Sequence, residues 1–104
     1  MNKPAVDRDG HLRDLNQWTP EVASRLAADA GVNLSDEHWA VINVVRDFYQ
    51  RTQVSPAMRP LVKMVRKQVG VETGNSVRLH ELFPESPARV IARIAGLPRP
   101  KNCL

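Results

Sequence analysis

The sequence predicts a mainly α (α+β) fold: a small orthogonal bundle of about five helices, an N-terminal β-hairpin and a mobile C-terminal arm. Three observations carry this. Cap-and-proline pairs, Thr19-Pro20, Ser55-Pro56 and Ser86-Pro87, stand where helices would open. The apolar residues between them recur at helical rather than alternating spacing. A turn signal, Asp9-Gly10, lies near one end, and two prolines, Pro98 and Pro100, lie near the other.

In order, residues 5–13 read as the hairpin. Asp9-Gly10 supplies a two-residue type I′ turn, with Val6 and Leu12 sharing the buried side. Two short strands are marginal alone, so this ribbon must lie against helices. Thr19-Pro20 opens the first helix. Its stripe is Val22, Ala23, Leu26, Ala27 and Ala30, and Gly31 suits its C-terminal cap. Ser35 caps the second, with Asp36 and Glu37 favourable to its dipole. From Trp39 to Tyr49 apolar residues nearly encircle the cylinder, which predicts the central, buried helix of the fold. The third helix carries Met58, Leu61, Val62, Met64, Val65 and Val69, and Pro60 leaves its start open between Ser55 and Pro60. Asn75 caps a short helix carrying Val77, Leu79, Leu82 and Phe83, which Pro84 stops. In the last helix Val90, Ile91 and Ile94 face inward while Arg89 and Arg93 face out, and Gly96 ends it. The expected organisation is one domain over 1–96 and a flexible arm over 97–104.

The bulk numbers bound the function. At 104 residues the chain has a modest core, and one cysteine excludes an internal disulfide, which suits a reducing, cytoplasmic setting. Met1-Asn2-Lys3-Pro4 lacks the apolar run of a leader peptide, and no stretch is apolar enough to span a membrane. A monomer is expected. Net charge is +4 at neutral pH, which favours acidic partners without naming one. His11, His38 and His80 are far apart and Cys103 has no close companion, so no metal or cofactor is expected.

Two candidate sites remain. The first is Cys103, on a stiff strap of Leu97-Pro98-Arg99-Pro100. Only thiolate is nucleophilic, and Arg99 and Lys101 would favour it or dock a partner. The second is a basic surface of Arg59, Lys63, Arg66, Lys67, Arg89 and Arg93. Two helices joined by a short turn, at about 38–51 and 57–69, are compatible with a helix-turn-helix nucleic-acid-binding regulator whose recognition helix carries the first four. The plainer reading of those charges is a solvated helix face.

The order Ile94-Ala95-Gly96-Leu97-Pro98-x-Pro100-x-x-Cys103-Leu104 resembles the C-terminal signature of the DsrC/TusE family of sulfur-relay proteins. The resemblance extends to Ser35-x-Glu37-His38-Trp39, Val45-Arg46-Asp47-Phe48-Tyr49, Ser55-Pro56-Ala57, Gly74-Asn75-Ser76 and Leu82-Phe83-Pro84. It implies a sulfurtransferase that accepts persulfide sulfur on its penultimate cysteine, here Cys103. Family members serving dissimilatory sulfite reductase carry a second cysteine eleven positions earlier, where this chain has Ala92. The single thiol is therefore similar to the TusE branch, and a sulfite-reductase-associated subunit is the alternative within the family. The implied partners are a TusBCD-type donor complex and a tRNA-uridine 2-thiouridylase with its tRNA, and the implied outcome is 2-thiolation of wobble uridine.

Overall fold

The computed structural model describes residues 4–101. Among these, a short 3-10 turn, Leu15–Gln17, precedes five α-helices: α1 Pro20–Asp29, α2 Asp36–Thr52, α3 Met58–Gln68, α4 Ser76–Leu82 and α5 Pro87–Ile94. The local signals explain most of the boundaries. The Thr19 hydroxyl accepts the Val22 amide at 3.1 Å ahead of Pro20, and the Asn75 carboxamide accepts the Arg78 amide at 2.8 Å. Ser35 caps α2 in a reciprocal box in which His38 takes the role usually filled by Glu or Gln. The Ser35 amide donates to His38 Nδ1 at 3.1 Å, so Nε2 carries the proton given to the Leu82 carbonyl at 2.8 Å. That imidazole ties the start of α2 to the end of α4.

α3 begins at Met58, with Ala57 in the cap position and no side-chain cap. Pro60 thus falls in the first turn, where a missing N–H costs nothing. Ser55 caps nothing; it serves the C-terminal segment described below.

The expected β-hairpin over 5–13 is not formed, and no strand exists among the described residues. One antiparallel bridge pairs Val6 with Leu12, flanked by Asp7 N–H to His11 C=O at 2.8 Å and Arg13 N–H to Ala5 C=O at 3.0 Å. The reasons are local. The Asp7 carboxylate accepts the amides of Asp9 and His11, which turns the loop over three residues ending at Gly10, with φ +88°. Pro4 has no amide to extend the ladder on one side. On the other, Asp14 leaves it to accept the Asn16 amide and cap the 3-10 turn. Val6 is 40% exposed while Leu12 is buried, so the two do not share an inner face.

The core joins Val41, Ile42 and Val45 of α2 to Leu61 and Val65, to Leu79 and Phe83, and to Ile91 and Ile94. α2 supplies much of it, but α5 is the hub: this shortest-but-one helix packs against α1, α2, α3 and α4. Val77, expected on the apolar side of α4, is 71% exposed. No helix among the described residues is long and apolar enough to cross a membrane.

A polar clamp closes the N-terminal end of α2, the same end that His38 holds. Glu37 accepts from Arg78 of α4, with the Arg78 Nε contact at 3.0 Å, and from the Thr73 hydroxyl at 2.7 Å. The Arg78 and Thr73 hydrogen bonds hold the Glu37 carboxyl well below its ordinary value of 4.5, at about 2. A carboxyl depressed on folding contributes stability that is fully present above its ordinary value and is lost as pH falls toward the folded one. The protein is therefore expected to lose stability between about pH 4.5 and pH 2 through this group. Glu37→Gln should flatten that stretch of the acid-unfolding curve, followed by circular dichroism. At neutral pH it should cost about 1 kcal/mol, the bare shift discounted because the pair is partly exposed. An unchanged acid limb would refute the clamp's contribution.

Candidate functional site

Helix α5 delivers the chain to its C-terminal segment through a Schellman turn. The Leu97 amide reaches the Ala92 carbonyl at 2.8 Å and the Gly96 amide the Arg93 carbonyl at 3.2 Å, with Gly96 at φ +73°. A helix end exposes carbonyls without partners. Here four of them, from the end of α5 to the strap, are taken by side chains from four other parts of the chain. Trp18 Nε1 donates to Ile94 O at 2.9 Å, and Arg46 Nη1 to Ala95 O at 2.5 Å. His11 Nδ1 donates to Leu97 O at 2.9 Å, and the Ser55 hydroxyl to Pro98 O at 2.5 Å.

Packing reinforces the seat. The Arg46 guanidinium lies over the Trp18 ring, 3.7 Å from its centroid, and Trp18 meets Trp39 edge-on with centroids 6.4 Å apart. Burial lowers the pKa of Arg46 from its ordinary value. Leu97 and Pro100 are buried, and Arg99 forms an ion pair with Asp9 in the N-terminal turn. The arm expected to leave the body at residue 97 is thus seated through Pro100. The strap expected to be stiff and extended lies against a prepared surface. The N-terminal turn, through Asp9 and His11, and the last described residues meet at this place.

Cys103 lies outside the described residues. Ala92, where the other branch carries its second cysteine, is 1% exposed on the inner side of α5. Among the described residues no group of three His, Cys, Asp or Glu is placed to hold a metal ion. His11 and His38 are both occupied by backbone carbonyls.

The residues of the expected basic surface divide between free-standing and engaged positions. Arg59, Lys63 and Lys67 are exposed along α3, and Arg89 is exposed at the start of α5. The Arg66 guanidinium instead turns to the Gly74 carbonyl at 3.1 Å and holds the loop before α4. Arg93, expected to face out, is half-buried under the N-terminal turn. Arg99, expected beside the thiol, is engaged by Asp9, whereas Lys101 is exposed. Lys101→Glu should therefore slow alkylation of Cys103 by iodoacetamide about twofold at low salt, and Arg99→Gln should change it less. Equal rates in the parent and Lys101→Glu would remove Lys101 from thiol tuning.

Sequence reasoning missed the four carbonyl-binding side chains. Their partners are 43 to 86 residues away, beyond any local pattern.

The whole chain, residues 1–104, matches the family profile described as DsrC like protein. A Salmonella choleraesuis protein named Sulfurtransferase TusE is 45% identical over 100 residues, covering 96% of this chain and 92% of the relative. The structure of DsrC from Allochromatium vinosum superposes with a TM-score of 0.86 at 45% identity, covering 95% of this chain and 88% of that one. The oxidized gamma-subunit of the dissimilatory sulfite reductase (DsrC) from Archaeoglobus fulgidus gives 0.87 at 39% identity, over 99% and 94%. With its full length matched by the family profile and its fold by these structures, the chain belongs to the DsrC-like family of proteins.

Proposed function

We propose that this chain is a sulfurtransferase of the relay kind that carries sulfur as a persulfide on Cys103. The sulfur-relay role rests on the family and on relatives named Sulfurtransferase TusE that match nearly the full length. The observation that carries the choice of residue is that Cys103 is the only thiol in the sequence. In the first exchange the Cys103 thiolate attacks the outer sulfur of a donor persulfide. The new bond forms between Cys103 and that sulfur, the donor's own S–S bond breaks, and the donor thiolate departs. An acceptor thiolate then repeats the exchange in the same sense, so no net oxidation or reduction occurs.

The finer reading takes a TusBCD-type complex as donor and a tRNA-uridine 2-thiouridylase with bound tRNA as acceptor, leading to 2-thiolation of the wobble uridine. It is supported by the TusE name of the relatives and by the absence of a thiol at Ala92. The seat on which the strap lies fits a relay, since it fixes the chain through Pro100, three positions before Cys103 in sequence. Intact mass after incubation with a cysteine desulfurase and its sulfur donors tests the reading. The chain should gain one sulfur atom that a thiol reductant removes. A chain that stays unmodified while the donor becomes persulfidated would end it.

A further inference from the structure

Val54 is 48% exposed at the rim of a cleft of about 120 Å³ between the end of α2 and the strap. Tyr49, Gln53, Pro98, Arg99 and Lys101 line much of the rest. A lone exposed valine needs no explanation by itself. This one is held from both sides. Its amide donates to the Thr52 hydroxyl at 3.2 Å, and the next residue, Ser55, donates its hydroxyl to the Pro98 carbonyl at 2.5 Å. Just before it, the Gln53 amide closes α2 on the Tyr49 carbonyl at 2.7 Å. The segment is thus fixed before any partner arrives, which lowers the ordering cost of binding. Charge gives the cleft a direction. No carboxylate lines it, Arg99 is already engaged by Asp9, and exposed Lys101 keeps an uncompensated charge there. The volume is too small for a cofactor, whose pockets run from about 300 Å³ upward, but it admits a protruding side chain.

We infer that this cleft is the docking point of the protein that delivers sulfur, and that it takes a carboxylate flanked by an apolar side chain of that partner. The inference rests on the carrier reading above and names a contact which that reading needs. An exchange between sulfurs requires the two to meet, so the donor must cover the surface around the end of the strap. Lys101, which lines the cleft, stands two positions before Cys103 in the sequence. The carboxylate pairs with Lys101, and the apolar side chain covers Val54 and Pro98. RNA phosphates would satisfy Lys101 but give the aliphatic Val54 little to pack against, so the two features together favour a protein. A contact of this small size suits a carrier that must let go and meet a second partner.

The test uses the full chain and a TusBCD-type complex as donor. Binding is read in the Cys103→Ser chain, where no sulfur moves, as the Kd for the complex at a series of salt concentrations. Adding Val54→Asp to that chain should raise Kd about tenfold, Val54→Leu should keep the starting value, and Val54→Lys should lose less than Val54→Asp. Kd should rise with salt as the pair with Lys101 is screened. Val54 is exposed and outside the helices, so these variants fold as the parent does. With the thiol in place, Val54→Asp should raise KM for loading from the complex. It should change alkylation of Cys103 by iodoacetamide less than about twofold, which separates lost docking from lost nucleophilicity. An unchanged Kd in Val54→Asp, or no binding of the complex at all, overturns the docking point. Equal losses in Val54→Asp and Val54→Lys, without salt dependence, overturn the acidic partner. Binding that responds to Val54→Asp in a chain that never gains sulfur removes the carrier reading and leaves the docking point standing. Loading that persists with Kd indifferent to Val54→Asp removes only this inference.

Discussion

Cys103→Ser should lose all capacity to accept sulfur while unfolding at the same temperature as the parent. A hydroxyl at this position is not ionised at neutral pH and forms no persulfide, and the sequence holds no second thiol to take over. The loss should therefore be complete rather than partial. Folding should be untouched because exchanging sulfur for oxygen changes little volume, and the described core runs from Val41 to Ile94. Two measurements check this: intact mass after exposure to a persulfide donor, and thermal unfolding by circular dichroism. Sulfur gain in the variant would disprove Cys103 as the carrier. A large fall in Tm would give the thiol a structural role instead.

How far the sequence could be read depended on the distance over which each interaction acts. Thr19, Ser35 and Asn75 were legible as caps because a cap and its amide are three residues apart. Ser55 carried the same signal, a hydroxyl before a proline, yet its partner is the Pro98 carbonyl 43 positions on. The two roles are identical in local chemistry, so only the fold separates them. The hairpin failed for a related reason: Asp9-Gly10 reads as a two-residue turn, but the Asp7 carboxylate captures the loop amides and sets a longer one. α2 looked central because seventeen residues display a pattern, whereas α5 has eight and its contacts with four helices leave no periodic trace. The candidate thiol was visible as a residue type, but its chemistry came from the resemblance and not from spacing. Arg93 shows the converse. Outward by periodicity, it is half-covered by a turn more than eighty residues earlier in the chain.

Gly96→Ala should cost about 2–4 kcal/mol and lower Tm by about 10–20 °C, an effect that Gly31→Ala will not match. Both glycines close a helix with a Schellman turn, at φ +73° and φ +76°. An L-residue in this conformation costs roughly 1–2 kcal/mol, and that cost is common to both positions. Their surroundings differ. A methyl group at Gly31 meets nothing within 4 Å, whereas at Gly96 it runs into the Trp18 ring. Trp18 cannot yield cheaply, because it holds the Ile94 carbonyl, lies under Arg46 and abuts Trp39. Either the ring moves and these contacts loosen, or α5 shifts and disturbs its packing on the other helices. The difference between the two variants thus reads the energy of the seat with the backbone cost cancelled. Hydrogen exchange at the Leu97 amide should rise in Gly96→Ala, since its bond to Ala92 depends on the same turn. Equal losses of Tm in the two variants would mean that the Trp18–Arg46 seat contributes nothing to holding the strap in place.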